Sequence, residues 1–199
     1  MANPTSITNR SLSLLGAATI SVLSPDDSPQ AAIAVQLYQP TVDALLSEWD
    51  WRFAVEVRQL SEVAEDLPAG VEWDHQYAIP VDCLRLIRLD VENIPYEVVS
   101  SPTGNEGGQR RLYSDESELW AHMVIRKEAA LWPAHFAEAL CLRFAAVLAM
   151  PITRRVDFAQ EYERKGEAAV ARAKAIDFNE QPWPTIQGGR QIADARFGG

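Results

Sequence analysis

Apolar residues recur at three- and four-residue intervals near both ends of the chain and at two-residue intervals through its middle. That pattern predicts helices, then strands, then helices again. Asn3-Pro4 starts the first helix, with Asn3 as cap and Pro4 at the first helical position, where no amide donor is needed. Ile7, Leu14 and Leu15 are expected on one face, and Gly16 is a left-handed stop. A short apolar stretch, residues 17–23, leads into the turn Ser24-Pro25-Asp26-Asp27. Ser28-Pro29 repeats the cap-and-proline signature. The second helix then carries Val35, Tyr38, Val42, Leu45, Leu46 and Trp49 as one stripe. Pro40 lies inside it, and a mid-helix proline costs ~3 kcal/mol, so a kink or break is expected there.

From Trp51 the period shortens. Trp51, Phe53, Val55 and Val57 alternate with Arg52, Ala54, Glu56 and Arg58, which predicts a half-buried strand with the first set inward. Further strands are expected over residues 73–79, 83–89, 96–99, 111–114 and 119–125, with residues 102–108 as an exposed hairpin loop. Helical spacing returns after Trp132-Pro133, where Phe136, Leu140, Phe144, Val147 and Leu148 form a stripe that Pro151 should end. Thr153 is the expected cap of a last helix carrying Phe158 or Ala159, Tyr162, Ala169, Val170 and Ala173. From Asp177 the period is lost, yet Phe178, Trp183, Ile186, Ile192 and Phe197 remain, together with Arg190 and Arg196. Disordered tails usually lack aromatics, and a segment that lies on a partner keeps them.

The fold expected from this order is α+β: a four-helix bundle from residues 1–50 and 132–176, a β-strand-rich insertion over 51–131 between helices 2 and 3, and an extended C-terminal arm over 177–199. The first and last helix pairs can pack together only if the insertion leaves and returns at neighbouring points.

Composition narrows the function. The chain has 199 residues, 47% of them hydrophobic, enough for one packed core. No apolar run is expected to reach the ~20 residues of a membrane helix, and the polar residues 1–10 do not read as a signal sequence, so a cytoplasmic site of synthesis is the default. The net charge of −10 is uneven: residues 1–153 hold 21 acidic and 10 basic side chains, residues 154–199 hold 7 and 8. An acidic body is poorly suited to gripping nucleic acid and suits a surface past which DNA slides. Cys83 and Cys141 read as separate buried thiols. His75, His122 and His135 fall in different elements, and no metal or cofactor is expected. Asp26-Asp27 and Asp115-Glu116 are adjacent acids in polar turns, and Arg110-Arg111 is a small basic pair. Arg85 and Arg88, in a leucine-rich strand, are candidates for ion pairs between subunits. No catalytic motif is present, so the chain is not expected to be an enzyme. A pocket joining His75 to Asp74 or Asp82 would reopen that possibility.

Several segments, taken in order, resemble the tail tubular protein A family, the adaptors between portal and tail in short-tailed bacteriophages. Residues 9–16 (NRSLSLLG) are similar to the family's opening segment, and residues 24–28 (SPDDS) to its serine- and aspartate-rich turn. Residues 49–54 (WDWRFA), 77–85 (YAIPVDCLR), 132–139 (WPAHFAEA) and 148–153 (LAMPIT) follow collinearly. The resemblance implies a ring, of twelve copies, docked on the portal protein. It implies a β-part facing the tail nozzle or tail tube protein, and a central channel that passes DNA without binding it, in a virion assembled in the host cytoplasm. It also implies that the C-terminal segment reaches the portal, which makes Phe178, Trp183, Ile186, Arg190, Ile192, Arg196 and Phe197 the portal-docking candidates. The alternative reading is a non-viral scaffold module that presents its β-part to a protein ligand.

Overall fold

The computed structural model describes residues 2–65, 67, 70–91, 94–100 and 110–180. Among these residues the chain is α+β, with four α-helices and two antiparallel sheets; the two longest helices are C-terminal and the strands lie in the middle. Helix α1 (Pro4–Leu14) has the expected start: Asn3 Oδ1 accepts from the Ser6 amide at 2.7 Å and the Ser6 hydroxyl accepts in turn from the Asn3 amide. It ends as expected at Gly16, φ +67°, with the Ala17 amide donating to Leu12 O and the Gly16 amide to Ser13 O, the double bond of a left-handed helix stop. Its buried face differs from the expectation: Leu12 is fully buried and Leu14 turns outward.

Helix α2 (Pro29–Ser47) is capped by Ser28 and runs unbroken through Pro40. Both Pro40 and Gln36, whose carbonyl loses its helical donor, are exposed, so water satisfies that group and the helix need not break. Helix α3 (Ala134–Thr153) likewise passes through Pro151 and stops two residues later, at Arg154, φ 56°. Helix α4 (Val156–Asn179) starts after Arg155, not at Thr153, and runs past the point where the sequence period is lost.

The expected four-helix bundle does not form. Helix α3 is a hub: α1, α2 and α4 each pack on it, α1 and α2 barely meet, and α4 packs chiefly along α3, with the Tyr162 hydroxyl also donating to Leu14 O of α1. The reason lies in α3 itself, whose buried residues Phe136, Ala139, Leu140, Cys141, Phe144, Ala145, Leu148 and Ala149 need cover on several sides. At 20 residues α3 is also long and apolar enough to cross a membrane, which corrects the expectation that no such run exists. A core helix enclosed by three others has the same composition. Gly166 lets α4 approach closely, because a Cβ there would lie 3.3 Å from the Arg143 backbone. Gly166→Leu is therefore expected to cost about 3 kcal/mol by forcing the helices apart. Gly166→Ala should fall near neutral, because a helix-propensity gain of ~1 kcal/mol offsets a smaller clash. Urea midpoints of the two variants test this.

The strands build two sheets that share a second core. Strands β1 (Val55–Gln59), β7 (Trp120–Ile125) and β4 (Cys83–Leu89) form one, in the order β1-β7-β4. Strands β2 (Ser61–Glu62), β3 (His75–Ala78), β6 (Arg110–Ser114) and β5 (Glu97–Ser100) form the other, in the order β2-β3-β6-β5. Tyr77, Ile79 and Leu112 from the second sheet meet Cys83, Leu89, Ala121, Met123 and Ile125 from the first. The opposite face of the first sheet, through Val124 with Val55, Leu84 and Ile87, packs on the helices. The strand expected to begin at Trp51 begins at Val55 instead. Residues 51–54 form a helical turn (Val55 N–H to Trp51 O, 3.0 Å) that buries Trp51 and Ala54, and Val57 is exposed. Val55 pairs with Val124, so the chain enters and leaves the β-part at adjacent points.

Candidate docking interface

The sequence placed its docking candidates on an arm starting at Asp177. That start is corrected: Asp177 and Phe178 belong to the last turn of α4. Phe178 is 58% exposed. Trp183, Ile186, Arg190, Ile192, Arg196 and Phe197 lie outside the described residues, as does the loop expected over residues 102–108.

Asp177 is the residue sequence reasoning missed. It is 2% exposed, and its carboxylate accepts from the Trp49 indole N–H and the Arg52 amide, both at 3.1 Å. Two donors from the α2–β1 junction thus fasten the end of α4 to the foot of α2. A signal existed in the spacing: Ala169, Val170, Ala173 and Asp177 continue one buried stripe, so the acid falls on the inner face. Nothing in the sequence indicated the two donors, which are more than 120 residues away.

Arg85 and Arg88, three residues apart, should face opposite ways on an alternating strand. Two β-bulges in β4 bring both onto the face shared with Val124 and His122, because Arg85 opposes Val124 and Arg88 opposes His122. The same bulges keep Cys83 and Leu86, and Leu89 after them, on the inner face at three-residue intervals. Arg85 is engaged within its own chain, donating to Ser47 O at 3.1 Å and to the Asp50 carboxylate, while Arg88 is exposed. Beyond the helices this sheet face also exposes Val57 and Trp120.

A groove of about 450 Å³ opens between the start of α1, the middle of α2 and the segment 126–132. Its walls include Pro4, Val42, Ala129, Ala130 and Trp132, and Tyr38 lies on it, 7% exposed. The Tyr38 ring packs edge-on against Phe144, and its hydroxyl has no hydrogen-bond partner among the described residues. Burial pushes that hydroxyl's pKa well above the ordinary tyrosine range, so it stays protonated and can donate. At the rim Arg126 is held by both Asp43 oxygens at 2.8 and 2.7 Å, and Lys127 by Glu56, while the Glu128 carboxylate adds a negative charge to the lining. An unpaired buried hydroxyl costs about 1–3 kcal/mol. Tyr38→Phe should therefore leave the melting temperature unchanged or raise it, as read by differential scanning calorimetry.

His75 and Asp74 line one open hollow of about 430 Å³ together with Glu62 and Glu65, which is the pairing that keeps a catalytic reading open. Within it His75 pairs with Glu62 at 2.6 Å, whereas Asp82 pairs with Arg58 at 3.0 Å and is not among the lining residues. Burial raises the pKa of both free thiols, Cys83 and Cys141, and keeps them unreactive. Among the described residues no group of three or more His, Cys, Asp or Glu side chains is placed to hold a metal ion. No family model and no curated protein matches the chain.

Proposed function

We propose that this chain is a structural adaptor subunit of a phage head-to-tail connector. In this reading it assembles as a ring, docks on the portal protein, and presents a surface to the tail nozzle or tail tube protein around a channel that carries DNA. No chemical step and no cofactor is assigned to it. The observation that carries the reading is the collinear run of segments similar to tail tubular protein A adaptors, from residues 9–16 to 148–153.

Four physical features support it. The end of α4 is fastened by Asp177, which gives the residues after Glu180 a fixed root. Those residues hold Trp183, Ile186, Ile192 and Phe197, the residue types that anchor interfaces, and Arg190 and Arg196, which can reach carboxylates bidentately. The body is acidic, which disfavours retention of passing DNA. A ring needs two different patches that meet heterologously, and the exposed face around Val57 and Trp120 is available for one of them.

The test is electron microscopy of the protein mixed with the portal encoded beside it. Added ring density at one end of the portal, with matching symmetry, is the expected result. A well-folded protein that leaves the portal bare overturns the assignment.

A further inference from the structure

We propose that strand β1 is a self-pairing edge whose occupant is β1 of a second copy of this chain, running antiparallel about an axis at Val57. The first argument is the open edge. β1 lies at the outside of its sheet and pairs with β7 alone. The Leu60 amide donates to Leu119 O and the Ile125 amide to Ala54 O, so residues 54, 56, 58 and 60 turn their backbone groups toward β7. By alternation Val55, Val57 and Gln59 turn theirs outward. The Val55 amide is taken by Trp51 O at 3.0 Å. Val55 O and the amides and carbonyls of Val57 and Gln59 have no backbone partner among the described residues. Such a row is a template for another strand. The edge of β4 is interrupted by bulges, and β2 spans only Ser61–Glu62.

The second argument is charge, which fixes both the occupant and the register. With Val57 opposite Val57 of the second copy, their amides and carbonyls exchange bonds, and the Gln59 amide of each chain donates to Val55 O of the other. Glu56 then stands opposite Arg58 of the second copy, and Arg58 opposite its Glu56, a favourable cross-strand pairing. Both side chains are already held at the edge: Arg58 meets Glu56 at 2.7 Å and Asp82 at 3.0 Å, and Lys127 meets Glu56. Sliding the register either way sets Glu56 against Glu56 or Arg58 against Arg58. The fold also leaves room. The helices cover this sheet face at Val55 and Val124, whereas Val57 is 47% exposed. An antiparallel partner therefore carries its helices to the opposite end of the joined sheet. The pairing is isologous and closes at two copies. The inference does not rest on the adaptor reading; within that reading the dimer is the portal-free form, and a ring contact that uses Val57 has to open it.

The experiment uses the full chain alone. Sedimentation equilibrium at chain concentrations up to about 1 mM, where even a weak contact is populated, is expected to give a dimer. Val57→Lys and Val57→Asp should each be folded and monomeric, because like charges then meet across the axis. An equal mixture of the two should dimerise again. As a second measurement, Val57→Cys should cross-link by oxidation far faster than Val81→Cys, although Val81 is 82% exposed. Directly opposed, hydrogen-bonded residues of antiparallel strands lie about 5.5 Å apart, within disulfide reach. A monomeric wild type, or single variants that associate as the wild type does, overturns the proposal. A dimeric wild type with no recovery in the mixture, or equal cross-linking at the two positions, overturns the pairing of β1 with itself in favour of another contact.

Discussion

A chain ending at Glu180 is expected to fold almost as stably as the full protein and to lose portal binding entirely, whereas a chain ending at Ile176 should melt well below both. The four residues between the two ends include Asp177. Removing it strips the acceptor from the Trp49 indole and the Arg52 amide, and frees the last turn of α4. Hydrogen bonds to a charged group are worth roughly 1.5–3 kcal/mol each, and burial leaves the orphaned donors without water in exchange. A loss of about 3 kcal/mol lowers the melting temperature of a domain this size by roughly 6–12 °C. Asp177→Ala in the full chain should reproduce the lower melting point and keep portal binding in the folded fraction, which separates fastening from contact. Calorimetry reads the first effect and portal pull-down the second. Equal melting temperatures for the two truncations would remove the fastening role of Asp177. Undiminished portal binding by the chain ending at Glu180 would remove the arm from the docking model.

The second large effect is expected at Phe136. Its ring meets Trp51 at 5.0 Å, Phe53 at 4.9 Å and Trp132 at 5.3 Å, each at a steep interplanar angle, and it is fully buried. This cluster joins the start of α3 to the turn that leads from α2 into β1, so it ties the helical hub to the root of the β-part. Phe136→Ala removes those ring contacts and opens a cavity, at a cost of about 3–5 kcal/mol. Against a total stability of about 5–15 kcal/mol that is enough to unfold much of the protein near physiological temperature. Trp120→Ala is the control. Its larger ring is 42% exposed on the outer sheet face, so the change should stay within about 1 kcal/mol. Denaturant titration of the two variants side by side checks the contrast, and comparable losses would show that the aromatic cluster is not the joint.

The sequence by itself determined the local events. Asn3-Pro4, Ser28-Pro29 and Gly16 set helix ends because caps and stops depend on a few adjacent residues. The succession of helices, strands and helices was readable from the change of apolar period, and with it the place of the strand at residues 83–89. Tertiary structure decided which faces those elements use. The bulges that turn Arg85 and Arg88 the same way exist only against β7, and pairing with a strand almost 40 residues away leaves no local mark. That α3 is a hub and not one wall of a bundle depends on how many helices cover it, which a stripe of apolar positions cannot count. Proline positions misled for a related reason: Pro40 and Pro151 forbid one hydrogen bond each, but whether a helix breaks there depends on whether its freed carbonyl meets water or a buried surface. Asp177 and Tyr38 looked like ordinary positions in the chain. Only packing made one a buried acceptor shared by two distant donors and left the other a buried donor without a partner among the described residues, because the free energy of a polar group is set by what surrounds it after the chain has folded.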